Sequence, residues 1–128
     1  MNEKLQKWVN AIKSGDPKQV TDLYHVDGIL LGTFSNKERV GHELILEYFE
    51  NLLKSPVEVE IVSENFLPGY DQQYPSATIR GTSGLYNFVT GGKTINARFS
   101  FVYYGQLYER PLVEWKIVSH HSSVIPKT

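Results

Sequence analysis

The amino-acid sequence predicts an α+β fold in which three N-terminal helices cover the concave side of a cone-shaped, strongly curved antiparallel sheet. Two observations lead to this fold class. Apolar residues recur about every 3.6 positions before Pro56 and at every second position after it, which marks a change from helices to strands. The helical segments come first, so they can plug the open side of a sheet built from the later strands. At 128 residues the chain has the length of one domain, and we expect residues 1–128 to form it.

The composition narrows the class of partner. Thirteen Lys and Arg residues against fourteen Asp and Glu residues give a net charge of −1, which offers no positive surface to nucleic acid or to an anionic membrane. Cysteine is absent, so disulfides and thiolate metal sites are excluded. No apolar run has the length of a membrane span or the form of a secretory signal. We expect a cytoplasmic protein that binds neither nucleic acid nor membranes.

Three helices are predicted from apolar stripes. The first spans about residues 2–14 and ends before Gly15, with a stripe made of Leu5, Trp8, Val9 and Ile12. The second is short and begins after Asp16, whose side chain can cap the N-terminus of a helix. Pro17 follows at the first helical position. The third spans residues 41–53 and has the widest stripe: Leu44, Ile45, Tyr48, Phe49, Leu52 and Leu53.

The predicted strands lie mostly in the C-terminal half. A short buried strand at residues 29–31 precedes the third helix, and an alternating strand at residues 57–61 follows it. A long hairpin joins residues 77–89 to residues 93–104, because Gly91-Gly92 suits the positive φ of a two-residue turn. Residues 67–71 and 105–111 are connections, and residues 112–125 form the last strand, which Pro126 ends.

Two adjacent histidines stand in the last predicted strand. His120 and His121 point to opposite faces of a strand, so they cannot chelate one metal ion together. The other two histidines, His25 and His42, have no chelating spacing either, and we expect no metal. In one interpretation, one of the pair packs under the sheet with a hydrogen bond while the other meets a partner subunit. In the other, His120 contacts a ligand in a pocket.

An aromatic row suggests a pocket. Phe99, Phe101 and Tyr103 share one face of their strand. The row either lines a cavity in the cone or simply fills the core, and both interpretations stay open. The third helix crosses the open side of the sheet and brings Phe49 towards Tyr24 and this row. A ligand-binding pocket in the cone would then consist of Tyr24, Phe49, Phe101, Tyr103, His120 and Ser122, the last two supplying its polar end.

Catalytic candidates are few. Asp27, Tyr24 and His25 form a compact cluster of acid, phenol and imidazole, so Asp27, Tyr24 and His120 are the candidates for acid–base chemistry. The same residues 24–28 also fit a helix stop followed by a turn in which the Asp side chain bonds backbone N–H groups. No nucleophile elbow, phosphate-binding Gly loop or dinucleotide fingerprint is present, and no cofactor is expected.

The convex face of the sheet is the predicted self-association surface. A sheet covered by helices on one side leaves its other face to water or to a second copy, so we expect at least a homodimer. Arg98, Ser100 and Val102 face away from the aromatic row. Arg98, Trp115 and His121 are the interface candidates, and the outward row of the last strand contains Trp115, Ile117, Ser119 and His121.

Three stretches carry a family resemblance. Gly15-Asp16, Glu47-Tyr-Phe-Glu-Asn-Leu52 and Trp115-Lys-Ile-Val-Ser-His-His-Ser-Ser-Val-Ile-Pro126 resemble the association domain of calcium/calmodulin-dependent protein kinase II, of the nuclear transport factor 2-like superfamily. The last stretch is most similar to bacterial stand-alone, SnoaL-like relatives. The resemblance implies self-assembly. It also implies a cavity, whose carboxylate-binding arginine in the last strand is replaced here by Ser122; Arg80 and Arg98 stand in a different register.

Two functions follow as expectations. The first is a non-enzymatic, homo-oligomerising association-type domain with a small aromatic-lined pocket for a small organic ligand. The alternative is a small-molecule lyase, isomerase or polyketide-cyclase-like enzyme with acid–base residues in the cone. The resemblance allows both, because the superfamily also contains ketosteroid isomerase, scytalone dehydratase and limonene epoxide hydrolase.

Overall fold

The structure of the chain, a computed structural model, describes residues 2–67, 77–107 and 113–127. Its elements in chain order are α1 (Glu3–Ser14), α2 (Pro17–Thr21), β1 (Tyr24–Leu31), β2 (Arg39–Val40), α3 (His42–Leu52), β3 (Val57–Phe66), β4 (Ala77–Thr90), β5 (Lys93–Leu107) and β6 (Val113–Val124). The predicted connections at 68–71 and 108–111, and the predicted strand start at 112, lie outside the described residues.

The helix boundaries at Gly15 and Asp16 are the ones that the sequence predicts, whereas α2 is shorter than predicted, because it ends at Thr21 and Tyr24 already belongs to β1. The Asn2 side chain accepts a hydrogen bond from the Leu5 N–H at 2.9 Å and caps α1. Gly15 ends α1 in the left-handed region, with φ of 77°. Asp16 caps α2 by accepting from the Lys18 N–H at 2.9 Å. No helix among the described residues combines the length and the apolar character that crossing a membrane requires.

The strands form one curved, open sheet in the order β2-β1-β6-β5-β4-β3. The C-terminal strands β3 to β6 pair antiparallel, with Gly91 and Gly92 at positive φ in the turn between β4 and β5. The predicted α+β fold class is therefore confirmed, with one refinement. The sheet is mixed because β1 pairs with β6 in parallel. These two strands are far apart in the chain, so no tight turn forces them to run in opposite directions.

Strand β1 differs from its prediction. It begins at Tyr24, and residues 25–28, which the sequence assigned to a turn, form a wide bulge between the pairs Tyr24↔Ile117 and Ile29↔Ser119. The prediction that the strand at residues 29–31 is buried was also wrong in part. Leu30 is 1% exposed but Ile29 and Leu31 are each 41% exposed, because nothing in the described chain covers the convex face behind them.

A second bulge changes which side chains of β6 face outward. The pairing jumps from Val102↔Ser119 to Tyr103↔Ile117, so Val118 is an extra residue in β6. Ile117 is consequently buried on the concave face, and Trp115 lies on that face too. The predicted outward row is thus corrected: Ser119 and His121 belong to the convex face, whereas Trp115 and Ile117 do not.

The core lies between α1 and α3 and the concave face of the sheet. Aromatic rings dominate it: the indole of Trp8 stacks on Tyr86 with centroids 5.7 Å apart and meets Phe101 edge-on at 5.3 Å. These three residues are each at most 1% exposed. The core therefore packs on the concave face of the sheet, whereas no described element covers the convex face.

Candidate functional site

A chain of hydrogen bonds runs through the centre of the aromatic core. The indole N–H of Trp8 donates to the hydroxyl oxygen of Tyr24 at 3.1 Å, and that oxygen lies 2.7 Å from Nδ1 of His120. On the other side of the imidazole, Nε2 lies 3.2 Å from the hydroxyl oxygen of Tyr86. Helix α1, strand β1, strand β4 and strand β6 each supply one member, so the fold as a whole holds the chain together.

The donors in this chain all point the same way. An indole N–H only donates, so the Tyr24 oxygen accepts from Trp8 and its own O–H donates to Nδ1 of His120. Neutral His120 then carries its proton on Nε2 and donates to Tyr86. The Tyr86 hydroxyl in turn donates to Oγ of Ser122 at 2.5 Å.

The chain of hydrogen bonds ends at a groove on the surface. Oγ of Ser122 lies 2.5 Å from Oγ1 of Thr33, which follows β1 and is half-buried. Ser122 Oγ accepts from Tyr86, and either hydroxyl of the Ser122–Thr33 pair can donate to the other, because a hydroxyl oxygen has two acceptor sites. Residues 31–33 and 35–38 and residues 121–124 line the groove here, with a volume of about 480 Å³.

Burial keeps the members of the chain neutral. Burial lowers the pKa of His120 to about 3, and the neighbouring His121 acts in the same direction. Burial also raises the pKa of Tyr24 and of Tyr86 above the ordinary tyrosine value. General acid–base catalysis at neutral pH works best with a pKa near 7, so His120 and Tyr24 are set up to hold hydrogen bonds and not to exchange protons with a substrate.

The predicted pocket residues meet, but as a packed core. Phe101 stacks on the His120 ring with centroids 3.9 Å apart and on Tyr103 at 5.7 Å, and Tyr24 contacts Phe49 at 5.8 Å. All of these side chains are at most 3% exposed. Side chains therefore fill the space that the sequence analysis assigned to a ligand, because Trp8 and Tyr86 also enter it.

The predicted acid, phenol and imidazole cluster does not form. The Tyr24 ring points into the core, whereas Asp27 is exposed in the bulge of β1. Between Asp27 and His25 the structure describes one hydrogen bond, which the Asp27 backbone N–H donates to Nδ1 of His25 at 3.0 Å. Asp27 is thus too far out to act on Tyr24, since a strand bulge turns successive side chains to different sides.

Sequence reasoning missed three members of the hydrogen-bonded chain: Trp8, Tyr86 and Thr33. Trp8 was recognised only as part of the apolar stripe of α1, and Tyr86 and Thr33 were not singled out. A signal for Trp8 and Tyr86 existed, because buried indole N–H and phenol O–H groups need partners. Those partners are distant in the sequence, since Tyr24 is 16 residues from Trp8 and His120 is 34 residues from Tyr86.

The concave end of β5 carries a second opening. Lys4 lies 4.4 Å from the Trp115 ring centroid and Arg80 lies 5.5 Å from it, so two cations meet one indole. A cavity of about 380 Å³ adjoins Lys4, Tyr103 and Trp115. Within residues 2–67, 77–107 and 113–127, no group of three or more His, Asp or Glu side chains is arranged to hold a metal ion.

The convex face is polar in its centre and apolar towards its sides. Arg98, Ser100 and His121 lie in its central strands, with the Arg98 Nε–H donating to Ser123 Oγ at 3.0 Å. The flanks expose large apolar side chains: Ile29 and Leu31 on β1, Val62 on β3, Leu85 on β4, and Ile125 after β6. Of the predicted interface residues, Arg98 and His121 are on this face and Trp115 is not.

Comparisons with known proteins agree with the fold. A model of the calcium/calmodulin-dependent protein kinase II association domain matches residues 2–126. A solved structure from Xanthomonas campestris, described as such an association domain, is 31% identical with a TM-score of 0.79, covering 97% of this chain and 84% of that one. No curated protein matches the sequence.

Two more distant structures show the fold alone. A nuclear transport factor 2-like protein of Pseudomonas putida is 12% identical with a TM-score of 0.72, covering 94% of this chain and 81% of its own. A ketosteroid isomerase-like protein of Erwinia carotovora is 14% identical with a TM-score of 0.61, covering 97% of this chain and 92% of its own. The chain belongs to the calcium/calmodulin-dependent protein kinase II association domain family and has the fold of the nuclear transport factor 2-like superfamily.

Proposed function

We propose that the chain is a homo-oligomerising association-type domain and that the convex face of its sheet binds a second copy. The observation that carries this proposal is the set of large apolar side chains on a face that no described element covers. Leu85 is 39% exposed, Val62 58% and Ile125 37%. Exposed apolar groups that lie together on one face mark interaction sites, whereas single scattered ones do not.

These three residues surround one groove. A groove of about 680 Å³ is lined by Val62 and Leu85 on one side and by residues 124–127 on the other. Covering such a groove removes apolar area from water at about 25 cal/mol per Å², which is the main favourable contribution to association. Membership in an association-domain family supports a second copy of the chain as the partner.

A single substitution tests this surface. Leu85→Asp places a charge among the apolar side chains of the groove, so we expect the oligomer to dissociate to monomers in sedimentation-equilibrium experiments. Gln19→Asp adds the same charge on the exposed side of α2 and serves as the matched control, with no change in mass expected. An oligomer unaffected by Leu85→Asp would show that the convex face is not the interface.

A small organic ligand is the second part of the proposal, with its site moved from the cone to the groove at Thr33 and Ser122. The position of Thr33 supports this site, because its half-buried hydroxyl lines the groove and supplies a hydrogen-bonding group for a ligand oxygen. Ligands with a carbonyl or carboxylate oxygen should raise the melting temperature. Thr33→Val removes the donor and should abolish the shift, whereas Ser35→Ala in the same groove should preserve it; shifts that survive Thr33→Val would contradict this site.

The enzyme alternative would use a different place. His25, His42 and Glu114 line a groove of about 290 Å³ beside the bulge of β1. It contains the ionisable groups that acid–base chemistry needs and that the buried core lacks at neutral pH. Turnover of a small-molecule substrate that is lost in both His25→Gln and His42→Gln, and kept in His121→Gln, would favour the enzyme over the association domain.

A further inference from the structure

The charges on the convex face indicate how two copies meet, an inference that rests on the proposed function. We propose that the copies associate about a twofold axis beside Leu85, so that Arg98 of each copy pairs with Glu60 of the other. The partner is thus a second copy of this chain in a defined orientation, and the interface has an apolar centre between two ion pairs.

Arg98 is the charged group that self-association would bury. It lies on β5 with Leu85 as its neighbour on β4 and Ser123 as its neighbour on β6. Its described bond is the one to the Ser123 hydroxyl, and no carboxylate in the described ranges forms an ion pair with it. Covering a guanidinium without a carboxylate is costly, so a second copy that covers Arg98 has to supply one.

Glu60 is the carboxylate that this face offers. It is exposed on the edge strand β3, opposite Asn87 of β4. The other acids of this strand have partners in their own chain: Glu58 reaches Lys13 at 4.0 Å, and Glu64 accepts from Asn2. Glu60 has no described hydrogen bond or ion pair, which leaves it available to a second copy.

The register makes the pairing reciprocal. Arg98 and Glu60 lie on the two strands that flank β4, which places their backbones about 10 Å apart across the sheet at about 4.8 Å per strand. A twofold axis that lies between two facing sheets and crosses β4 between Leu85 and Asn87 exchanges these positions. Each Arg98 then lies over the Glu60 of the other copy, as an isologous interface requires.

The same axis brings the apolar side chains together. Leu85 lies next to the axis and meets Leu85 of the second copy, with Val62 beside it on β3. A central apolar contact enclosed by polar and charged groups is the usual arrangement of a specific interface. One arrangement thus covers the exposed Leu85 and gives Arg98 its carboxylate.

Charge reversal tests the pairing. In Arg98→Glu and in Glu60→Arg, every proposed ion pair becomes a contact of like charges, so we expect each variant alone to associate at least about tenfold more weakly than the wild type. In an equimolar mixture both contacts join opposite charges again, one pair with its charges exchanged and one pair as in the wild type, and a one-to-one heterodimer should appear in native mass spectrometry. Lys18→Glu and Glu43→Arg, which change exposed helix residues by the same charges, are the controls and should associate like the wild type.

The outcomes separate the two proposals. A wild type that is monomeric throughout would overturn the association function and this inference together. A wild-type oligomer that Leu85→Asp dissociates, but whose two charge-reversed variants do not complement each other, would keep the association function and overturn only the Arg98–Glu60 pairing. Circular dichroism of each variant excludes unfolding as the reason for lost association.

Discussion

The hydroxyl oxygen of Tyr24 lies 2.7 Å from Nδ1 of His120, in a part of the core where both side chains are at most 3% exposed. This contact joins the parallel strands β1 and β6 through their side chains. The tautomer of the imidazole follows from its other nitrogen, because the Tyr86 hydroxyl donates to Ser122 and therefore accepts from the Nε2–H of His120. The core is therefore specified by hydrogen-bond direction as well as by shape.

Removing this hydroxyl should destabilise the protein. Tyr24→Phe leaves Nδ1 of His120 and the Trp8 indole N–H without their partner inside the core, and we expect a loss of about 1–3 kcal/mol in the free energy of unfolding. Urea denaturation measures it. Tyr104→Phe removes a hydroxyl from a half-exposed position with no described hydrogen bond and should change stability little. Equal effects of the two substitutions would contradict a stabilising role for the buried hydrogen bonds of Tyr24.

The lowered pKa of His120 makes stability depend on pH. In the folded chain this pKa is about 3, below the ordinary value of 6.5, so the unfolded chain takes up the proton first as the pH falls. The contribution of His120 to stability is complete above about pH 6.5 and decreases towards about pH 3, by at most about 1.4 kcal/mol per pH unit.

Nuclear magnetic resonance checks the same group directly. The ring carbons of His120 should keep the shifts of a neutral imidazole protonated on Nε2 between about pH 8 and pH 5. A His120 resonance that titrates with a midpoint near 6.5 would contradict both the burial of the ring and the order of donors around it.

The filled cone gives a further expectation. Phe101 is 0% exposed and stacks on His120, so Phe101→Trp has no space for the larger ring. We expect overpacking to lower the free energy of unfolding by about 1–3 kcal/mol. Phe66→Trp, at a side chain that is 54% exposed, is the comparison and should be nearly neutral. A stable Phe101→Trp protein would show that the core holds an open cavity after all.

Local patterns in the sequence were enough to predict most of the elements, though not the short strand β2 or the start of β1. The apolar stripes of α1 and α3, the caps at Asp16 and Gly15, and the two-glycine turn all act within a few residues, so one segment of sequence contains the whole signal. The family resemblance gave the fold for the same reason, because it rests on whole segments of the chain.

The candidate site could not be read in the same way. The bulges at residues 25–28 and at Val118 shift the two-residue period, and they decide that Trp115 faces inward and His121 outward. Whether aromatic rings line a cavity or fill it depends on the summed volume of side chains from several elements. Trp8 and Tyr86, which come from α1 and β4, close this core.

The mass of the unmodified protein in solution tests the central claim most directly. Sedimentation equilibrium over a series of micromolar concentrations should give at least twice the chain mass of 14.6 kDa if two copies pair through the convex face, as proposed. A mass of 14.6 kDa at every concentration would contradict the association-domain account.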